Sequence, residues 1–171
     1  VPMDAPGARM PGPETVTALR ARGHIVTLFN RGRTEKRKGG MFPDVEKLYG
    51  NRDPLLPADD ERGPDKELLH PEAQPKGLEQ LQGKTWDAVI DNSGYYPRMV
   101  KASAELLAPA ASQYIFISSI SAYASNKTVG ADETAPLATI ADPTVETMGA
   151  NFENYGALKG LCEKAVEAAF P

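Results

Sequence analysis

The sequence contains little of what the commonest cross-linking and metal-binding chemistries require. Its 171 residues include one cysteine, two histidines and one tryptophan. Cys162 therefore has no partner for an intrachain disulfide, which fits a reducing compartment, and we expect it to be a small core residue. His24 and His70 have no cluster of further ligands around them in the sequence, so we expect no metal site.

Long apolar runs and a surplus of positive charge are also absent. No run approaches the roughly 20 residues that a membrane helix needs, and the start, 1–6, has neither the basic region nor the apolar stretch of a secretory signal. We therefore expect no membrane contact and a cytoplasmic location. The net charge of -4 and the pI near 5.3 disfavour a protein dominated by contacts with nucleic-acid phosphates. Because the first residue is Val1, we expect a fragment or a displaced start.

The composition that is present matches one globular domain. Hydrophobic residues make up 41% of the chain and charged residues 25%. The 15 glycines and 15 prolines are clustered, and one cluster of prolines and charges falls within 51–77. We therefore expect residues 1–171 to form a single domain that carries a surface insertion at 51–77.

Segments with strand patterns alternate with segments that have helix patterns. The spacing of apolar residues predicts helices over 13–22, 97–107 and 151–170, and strands over 24–29, 45–49, 86–91 and 114–117. Such alternation implies right-handed crossovers and a parallel sheet. The sequence therefore predicts an α/β fold with a doubly wound sheet.

Polar residues or glycine follow three of the predicted strands. These exits are 30–33, 91–94 and 118–121. In a doubly wound sheet the ligand crevice lies outside the carboxyl ends of the strands. One such exit alone is typical of an ordinary loop, and we expect Asp91 to cap the loop that follows it. Three exits together predict a nucleotide site.

Tyr155 and Lys159 are separated by one helical turn, so both side chains lie on one face of the last predicted helix. A fixed cation beside a phenol favours the phenolate, which makes the tyrosine a usable proton donor and acceptor. Alone, this spacing is equally typical of a half-buried tyrosine beside a solvated lysine. Because Ser118 and Ser119 precede it at a strand exit, the pattern indicates an acid/base pair.

These patterns resemble a known family, the extended and atypical short-chain dehydrogenases/reductases of the NAD-dependent epimerase/dehydratase type. The resemblance covers residues 7–170, and its strongest stretches are 22–32, 86–91, 114–123 and 154–159. It implies a Rossmann-like, three-layer α/β/α fold with a parallel sheet. It also implies hydride transfer at a carbinol or ketone carbon of a sugar or nucleotide-sugar-like substrate.

The resemblance implies a role for each member of a Ser/Tyr/Lys set. Tyr155 would be the general acid/base, and Lys159 would favour its phenolate and hold the nicotinamide ribose. Ser119 would form a hydrogen bond with the substrate oxygen, with Ser118 and Ser121 as rival assignments.

The resemblance also implies a nicotinamide dinucleotide cofactor. It places Asn30 and Arg31 at the adenosine ribose. An uncharged Asn30 followed by Arg31 and Arg33 accommodates a 2′-phosphate better than the acidic residue common in NAD-binding domains, so the sequence favours NADP over NAD. The remaining cofactor contacts that the resemblance implies are Gly7, Gly12, Asn51, Arg52, Asp53, Ser93 and Gly94.

The chain departs from the family pattern near both ends. The family opens with a strand and a glycine-rich turn, whereas this chain has 6–12, in which Gly7 and Gly12 match but Pro6 and Pro11 do not. A proline offers no N–H to a phosphate, so we expect weakened cofactor affinity. We expect the first strand to be degenerate or missing and the family's substrate domain to be absent.

Two alternatives to an active enzyme follow from these departures. One is a non-catalytic nucleotide-sensing or RNA-binding protein on the same scaffold. It is indicated by the basic run at 31–38 and by a distant resemblance to chloroplast stem-loop-binding proteins. The other is an inactive fragment.

Overall fold

The structure is a computed structural model of the chain, and it describes residues 12–30, 41–53 and 77–171. Several expectations fall outside these ranges. They are the degenerate first strand, the basic run at 31–38, most of the insertion at 51–77, and the cofactor contacts Gly7, Arg31 and Arg33.

The described residues form a mixed α/β structure, which confirms the predicted class. The helices are α1 (Gly12–Ala21), α2 (Pro97–Leu107) and α3 (Tyr155–Ala169), with 3-10 turns at Leu78–Leu81 and Ile120–Ala122. The strands are β1 (Thr27–Asn30), β2 (Glu46–Tyr49), β3 (Val89–Asp91) and β4 (Tyr114–Phe116). No helix in these ranges is long and apolar enough to cross a membrane.

Helix α2 has the predicted bounds and forms the core with α3. Pro97 occupies a first-turn position, where its missing N–H removes no helical hydrogen bond. Val100 and Ala104 are fully buried on the face that meets Cys162 and Val166 of α3. The expectation that Cys162 is a core residue is confirmed.

Helix α3 begins at Tyr155, so the prediction of a helix from 151 is wrong at that end. The backbone adopts positive φ at Gly149 and Phe152, which an α-helix does not tolerate. The carboxylate of Glu153 accepts a hydrogen bond from the N–H of Asn151 at 2.9 Å. Such side-chain bonds to the backbone stabilise a turn in competition with the helix.

The strands pair in parallel, as predicted, but they form two separate sheets. β1 pairs with β2, with Phe29 opposite Leu48, and β3 pairs with β4, with Ile90 opposite Ile115. Within the described ranges β1 and β3 are not neighbours in one sheet. The sequence predicts a parallel, doubly wound sheet whose first strand is degenerate or missing. The structure supports the parallel α/β pairing, and the doubly wound order stays a prediction.

The strands are also shorter than the patterns predict. β1 begins at Thr27 rather than at 24, and Ile25 is fully exposed instead of buried in the sheet. β3 begins at Val89 rather than at 86, although an isolated bridge joins Trp86 to Ala111 in the same parallel sense. Apolar β-branched residues raise strand propensity, but pairing with a neighbour decides where a strand starts.

The two faces of the β3–β4 sheet differ in burial. Phe116 and Tyr114 pack against the core of α2 and α3. Ile90, Ile115 and Ile117 alternate with these residues and remain exposed on the opposite face. The helices therefore cover one face of this sheet, and the carboxyl ends of β3 and β4 lie beside α3.

Candidate functional site

Lys159 is buried at the carboxyl ends of β3 and β4. The residue as a whole is 3% exposed. The Lys159 ammonium donates hydrogen bonds to the carbonyl oxygens of Gly94 and Ile117, both at 2.8 Å. Gly94 follows β3 and Ile117 follows β4. The Lys159 side chain therefore connects α3 to the two strand exits at which the sequence predicts a ligand.

Two aromatic rings complete the surroundings of this ammonium. Lys159 Nζ lies 4.0 Å from the centroid of the Phe116 ring and 5.8 Å from that of Tyr95, within the range of cation–π attraction. Burial lowers the pKa of Lys159, and the nearby Cys162 and Asp91 oppose that shift. The site therefore holds a desolvated cation stabilised by carbonyl oxygens and ring faces.

The hydrogen bonds of Lys159 differ from the simplest sequence interpretation. Tyr155 and Lys159 lie one turn apart in α3, as predicted. Among the described residues, however, the hydrogen bonds of the ammonium go to backbone carbonyls and none goes to the Tyr155 phenol. An ammonium has three N–H donors, and two of them donate to these carbonyl oxygens; the part of the chain that the structure describes offers no acceptor to the third.

Gly94 is required by close packing at the end of β3. A Cβ at this position would come within 2.5 Å of side-chain atoms of both Phe116 and Val100. A larger residue would push the strand exit away from Phe116 and α2, and the carbonyl that accepts from Lys159 would move with it.

Ser119 lies between β4 and the 3-10 turn at Ile120–Ala122. Its hydroxyl accepts a hydrogen bond from the N–H of Ser121 at 3.2 Å and so caps the following 3-10 turn. Gly156 packs so closely on the carbonyl oxygen of Ser121 that a Cβ there would collide with it. The 3-10 turn that follows Ser119 therefore packs on the first turn of α3, and the roles of Ser119 and Tyr155 stay predictions.

The rival assignment Ser118 has a distinct environment. Its hydroxyl is buried and has no hydrogen-bond partner among the described residues. A buried hydroxyl without a partner carries a desolvation cost, which a hydrogen bond to a ligand would offset. The assignment of the substrate-binding serine to Ser118, Ser119 or Ser121 therefore stays open.

Tyr95 is a site residue that the sequence analysis missed. It directly follows Gly94, it is half-buried, and its ring faces the Lys159 ammonium. Burial raises the pKa of the Tyr95 phenol, and the neighbouring Tyr155 acts in the same direction. The available signal was an aromatic residue immediately after the glycine of a strand exit.

The predicted cofactor contact Arg52 forms a buried ion pair. Its guanidinium donates to both carboxylate oxygens of Asp91 at 2.7 Å and to the hydroxyl of Ser103 at 2.6 Å. Tyr114 also donates to Asp91, at 2.9 Å. Burial acts to lower the pKa of Arg52 and to raise that of Asp91, but their contact outweighs it, so the pKa of Arg52 is raised and that of Asp91 is lowered.

Asn51 and Asp53, on either side of Arg52 in the chain, also form side-chain contacts. Asp53 is buried and forms an ion pair with Arg98, which also donates to Glu146 at 2.5 Å. The side-chain oxygen of Asn51 accepts from the N–H of Asp53 at 3.1 Å. These contacts attach the segment after β2 to β3 and α2, and its cofactor role stays a prediction.

The remaining predicted contacts lie at the start of α1 and at the ends of β1 and β3. Gly12 begins α1 and lies close to the side chain of Asn92, just beyond β3. The N–H of Ser93 donates to Asp91 at 3.2 Å, which confirms that Asp91 caps this loop. Asn30 ends β1, and its carbonyl oxygen accepts from Gly50 at 2.9 Å.

The structure thus brings one part of the predicted set together. Lys159 contacts Gly94 at the carboxyl end of β3, Ser119 follows β4, and Tyr155 begins α3 one turn before Lys159, whereas Asn30 lies at the end of the other sheet. No group of three or more histidine, cysteine, aspartate or glutamate side chains that could hold a metal ion occurs within 12–30, 41–53 and 77–171.

Comparisons with protein-family models, with curated proteins and with solved structures gave no match to the chain.

Proposed function

We propose that the chain is the cofactor-binding part of an NAD(P)-dependent enzyme of the epimerase/dehydratase/reductase type, built on a Rossmann-like doubly wound fold. Its reaction would be hydride transfer at a carbinol or ketone carbon of a sugar-like substrate. The observation that carries the proposal is Lys159, a buried ammonium bonded to the carbonyl oxygens of Gly94 and Ile117 one helical turn after Tyr155.

The residues at this edge fit a nicotinamide dinucleotide. The third N–H of Lys159, which has no acceptor among the described residues, suits a ribose hydroxyl. The N-terminus of α1 at Gly12 lies beside Asn92, and the positive end of a helix dipole favours a phosphate. When bound, a nicotinamide supplies or accepts the hydride.

The proton would be handled by this chain's own side chains. Tyr155 would give a proton to the substrate oxygen during reduction and take it back during oxidation. The Ser119 hydroxyl oxygen accepts from Ser121, which leaves its O–H to donate to the same substrate oxygen.

NADP remains the favoured cofactor within this proposal. Asn30 at the end of β1 carries no charge that would repel a 2′-phosphate, and Arg31 and Arg33 follow it in the sequence. A guanidinium pairs with phosphate oxygens through two parallel hydrogen bonds.

The experiment is hydride transfer from NADPH to a panel of sugar and nucleotide-sugar ketones by the complete protein, cofactor-binding and substrate-binding parts together, with Tyr155→Phe as the test variant. Loss of general acid/base catalysis should lower kcat by about 10²–10⁴-fold while NADPH affinity stays within about twofold, since the ring remains. Tyr123→Phe, which removes a phenol outside the proposed set, is the matched control. Unchanged turnover in Tyr155→Phe contradicts the proposed mechanism.

The RNA-binding alternative rests on the basic run at 31–38, which lies outside the described ranges. Its test is RNA binding that weakens steeply with salt and weakens further when Arg37 and Lys38 are neutralised. The absence of such binding removes it.

A further inference from the structure

We propose that Tyr95 is a positioning residue for Lys159, a neutral aromatic wall that closes the ammonium's surroundings on the side of Tyr155 and packs against the bound ligand. The inference rests on the proposed function for the identity of that ligand, a nicotinamide dinucleotide. Its statement about Tyr95 and Lys159 can be tested without any ligand.

The geometry of the ammonium carries the proposal. Two of its three N–H groups are bonded to the carbonyl oxygens of Gly94 and Ile117. Phe116 covers it closely at 4.0 Å, and Tyr95 lies farther away at 5.8 Å. Phe116 is part of β4, whereas Tyr95 stands in the loop between β3 and α2. Of the two aromatic neighbours of the ammonium, Tyr95 is therefore the one that belongs to a loop at the strand exit.

The chemistry of Tyr95 favours a wall over a second acid. Burial and the neighbouring Tyr155 both raise the pKa of its phenol, so the ring stays neutral at the pH at which Lys159 is charged. A neutral ring offers its negative face to a cation, and an aromatic face also suits stacking with a planar ligand. Tyr95 would thus fix the Lys159 ammonium and leave its third N–H to a ligand hydroxyl.

The first test measures how fast the Lys159 amine is labelled, with reductive methylation by formaldehyde and cyanoborohydride as the probe and peptide mass spectrometry as the readout. Lys164 is exposed on the same helix and serves as the internal reference. In the wild-type protein we expect Lys159 to react more slowly than Lys164. Tyr95→Leu should raise the Lys159/Lys164 ratio by about tenfold or more, whereas Tyr95→Phe should keep it within about twofold, because the phenylalanine ring restores the wall.

Two controls separate this effect from loss of structure. Cys162 is fully buried in the same helix, so its reaction with a thiol reagent reports opening of the core. The expected result is that Lys159 becomes reactive in Tyr95→Leu while Cys162 stays protected. Tyr96→Leu changes the adjacent tyrosine and should leave the Lys159/Lys164 ratio unchanged. An unchanged ratio in Tyr95→Leu, or equal increases in Tyr95→Leu and Tyr95→Phe, overturns the proposal.

The second test adds the ligand. In a fluorescence titration with NADPH, Tyr95→Leu should weaken binding by about tenfold and Tyr95→Phe by about twofold at most. Equal affinities in wild type and Tyr95→Leu overturn the ligand-contact part of the proposal. Wild-type protein that binds no NADPH overturns the proposed function instead, and the labelling result then decides the role of Tyr95 by itself.

Discussion

The guanidinium of Arg52 meets both carboxylate oxygens of Asp91 at 2.7 Å, and this ion pair joins the segment after β2 to the carboxyl end of β3. The side chains are 15% and 6% exposed. Ser103 and Tyr114 provide further hydrogen bonds to the pair. Since the described strands form two separate sheets, this pair is a principal link between the two halves of the structure.

We expect Asp91→Asn to lower the free energy of unfolding by about 3–5 kcal/mol, because it leaves the Arg52 charge buried without its counter-ion. Urea denaturation followed by circular dichroism measures the change. Glu105→Gln is the matched control, since its ion pair with Lys101 is exposed and should contribute no more than about 0.5 kcal/mol. Equal effects of the two variants would contradict the role assigned to Asp91.

The same contact predicts a dependence of stability on pH. Arg52 holds the pKa of Asp91 below its ordinary value, so the folded state binds this proton less readily than the unfolded state, in which an aspartate titrates near about 3.9. The stabilisation is fully present above that value and is lost as pH falls through the folded pKa. The difference in unfolding free energy between wild type and Asp91→Asn should therefore shrink on acidification. A difference that stays constant from pH 7 down to the acid transition would refute this linkage.

Two glycines of α3 should respond oppositely to alanine. A Cβ at Gly156 would collide with the carbonyl oxygen of Ser121, whereas at Gly160 the nearest atom, on Leu137, is at an ordinary 3.6 Å. We expect Gly156→Ala to destabilise the protein by about 1–3 kcal/mol through overpacking. Gly160→Ala should stabilise it by up to about 1 kcal/mol, because alanine favours the helix. Thermal unfolding of both variants measures this contrast, and a Gly156→Ala variant as stable as Gly160→Ala would show that the helix is not held so closely against Ser121.

Local patterns were sufficient to predict the helix pair that forms the core. Pro97 and the apolar spacing of Val100, Ala104 and Leu107 defined α2 correctly at both ends. The start of α3 was missed, because the preceding turn depends on contacts such as that of Glu153 with the N–H of Asn151. Helical periodicity carries no information about such a turn.

The sequence indicated those parts of the candidate site that depend on local spacing and strand order. Spacing along one helix placed Tyr155 with Lys159, and strand order placed Gly94 nearby. The pairing of Arg52 with Asp91 joins positions 39 residues apart, and the approach of Tyr95 to Lys159 depends on how α3 packs against a loop. Both are products of tertiary packing, which one sequence without its fold does not reveal.

The most direct test of the central claim is a fluorescence titration of wild type and Lys159→Met with NADPH. Methionine fills a similar volume without a charge, but it leaves the carbonyl oxygens of Gly94 and Ile117 without their donor. Circular dichroism and the urea midpoint of the variant therefore check that it is folded before binding is compared. We predict a dissociation constant on the order of micromolar for wild type, and binding at least about tenfold weaker in Lys159→Met, through loss of a charge-assisted hydrogen bond to the ligand. Equal affinity in the two proteins, or no binding by the wild type, would contradict the assignment of this edge as a nicotinamide dinucleotide site.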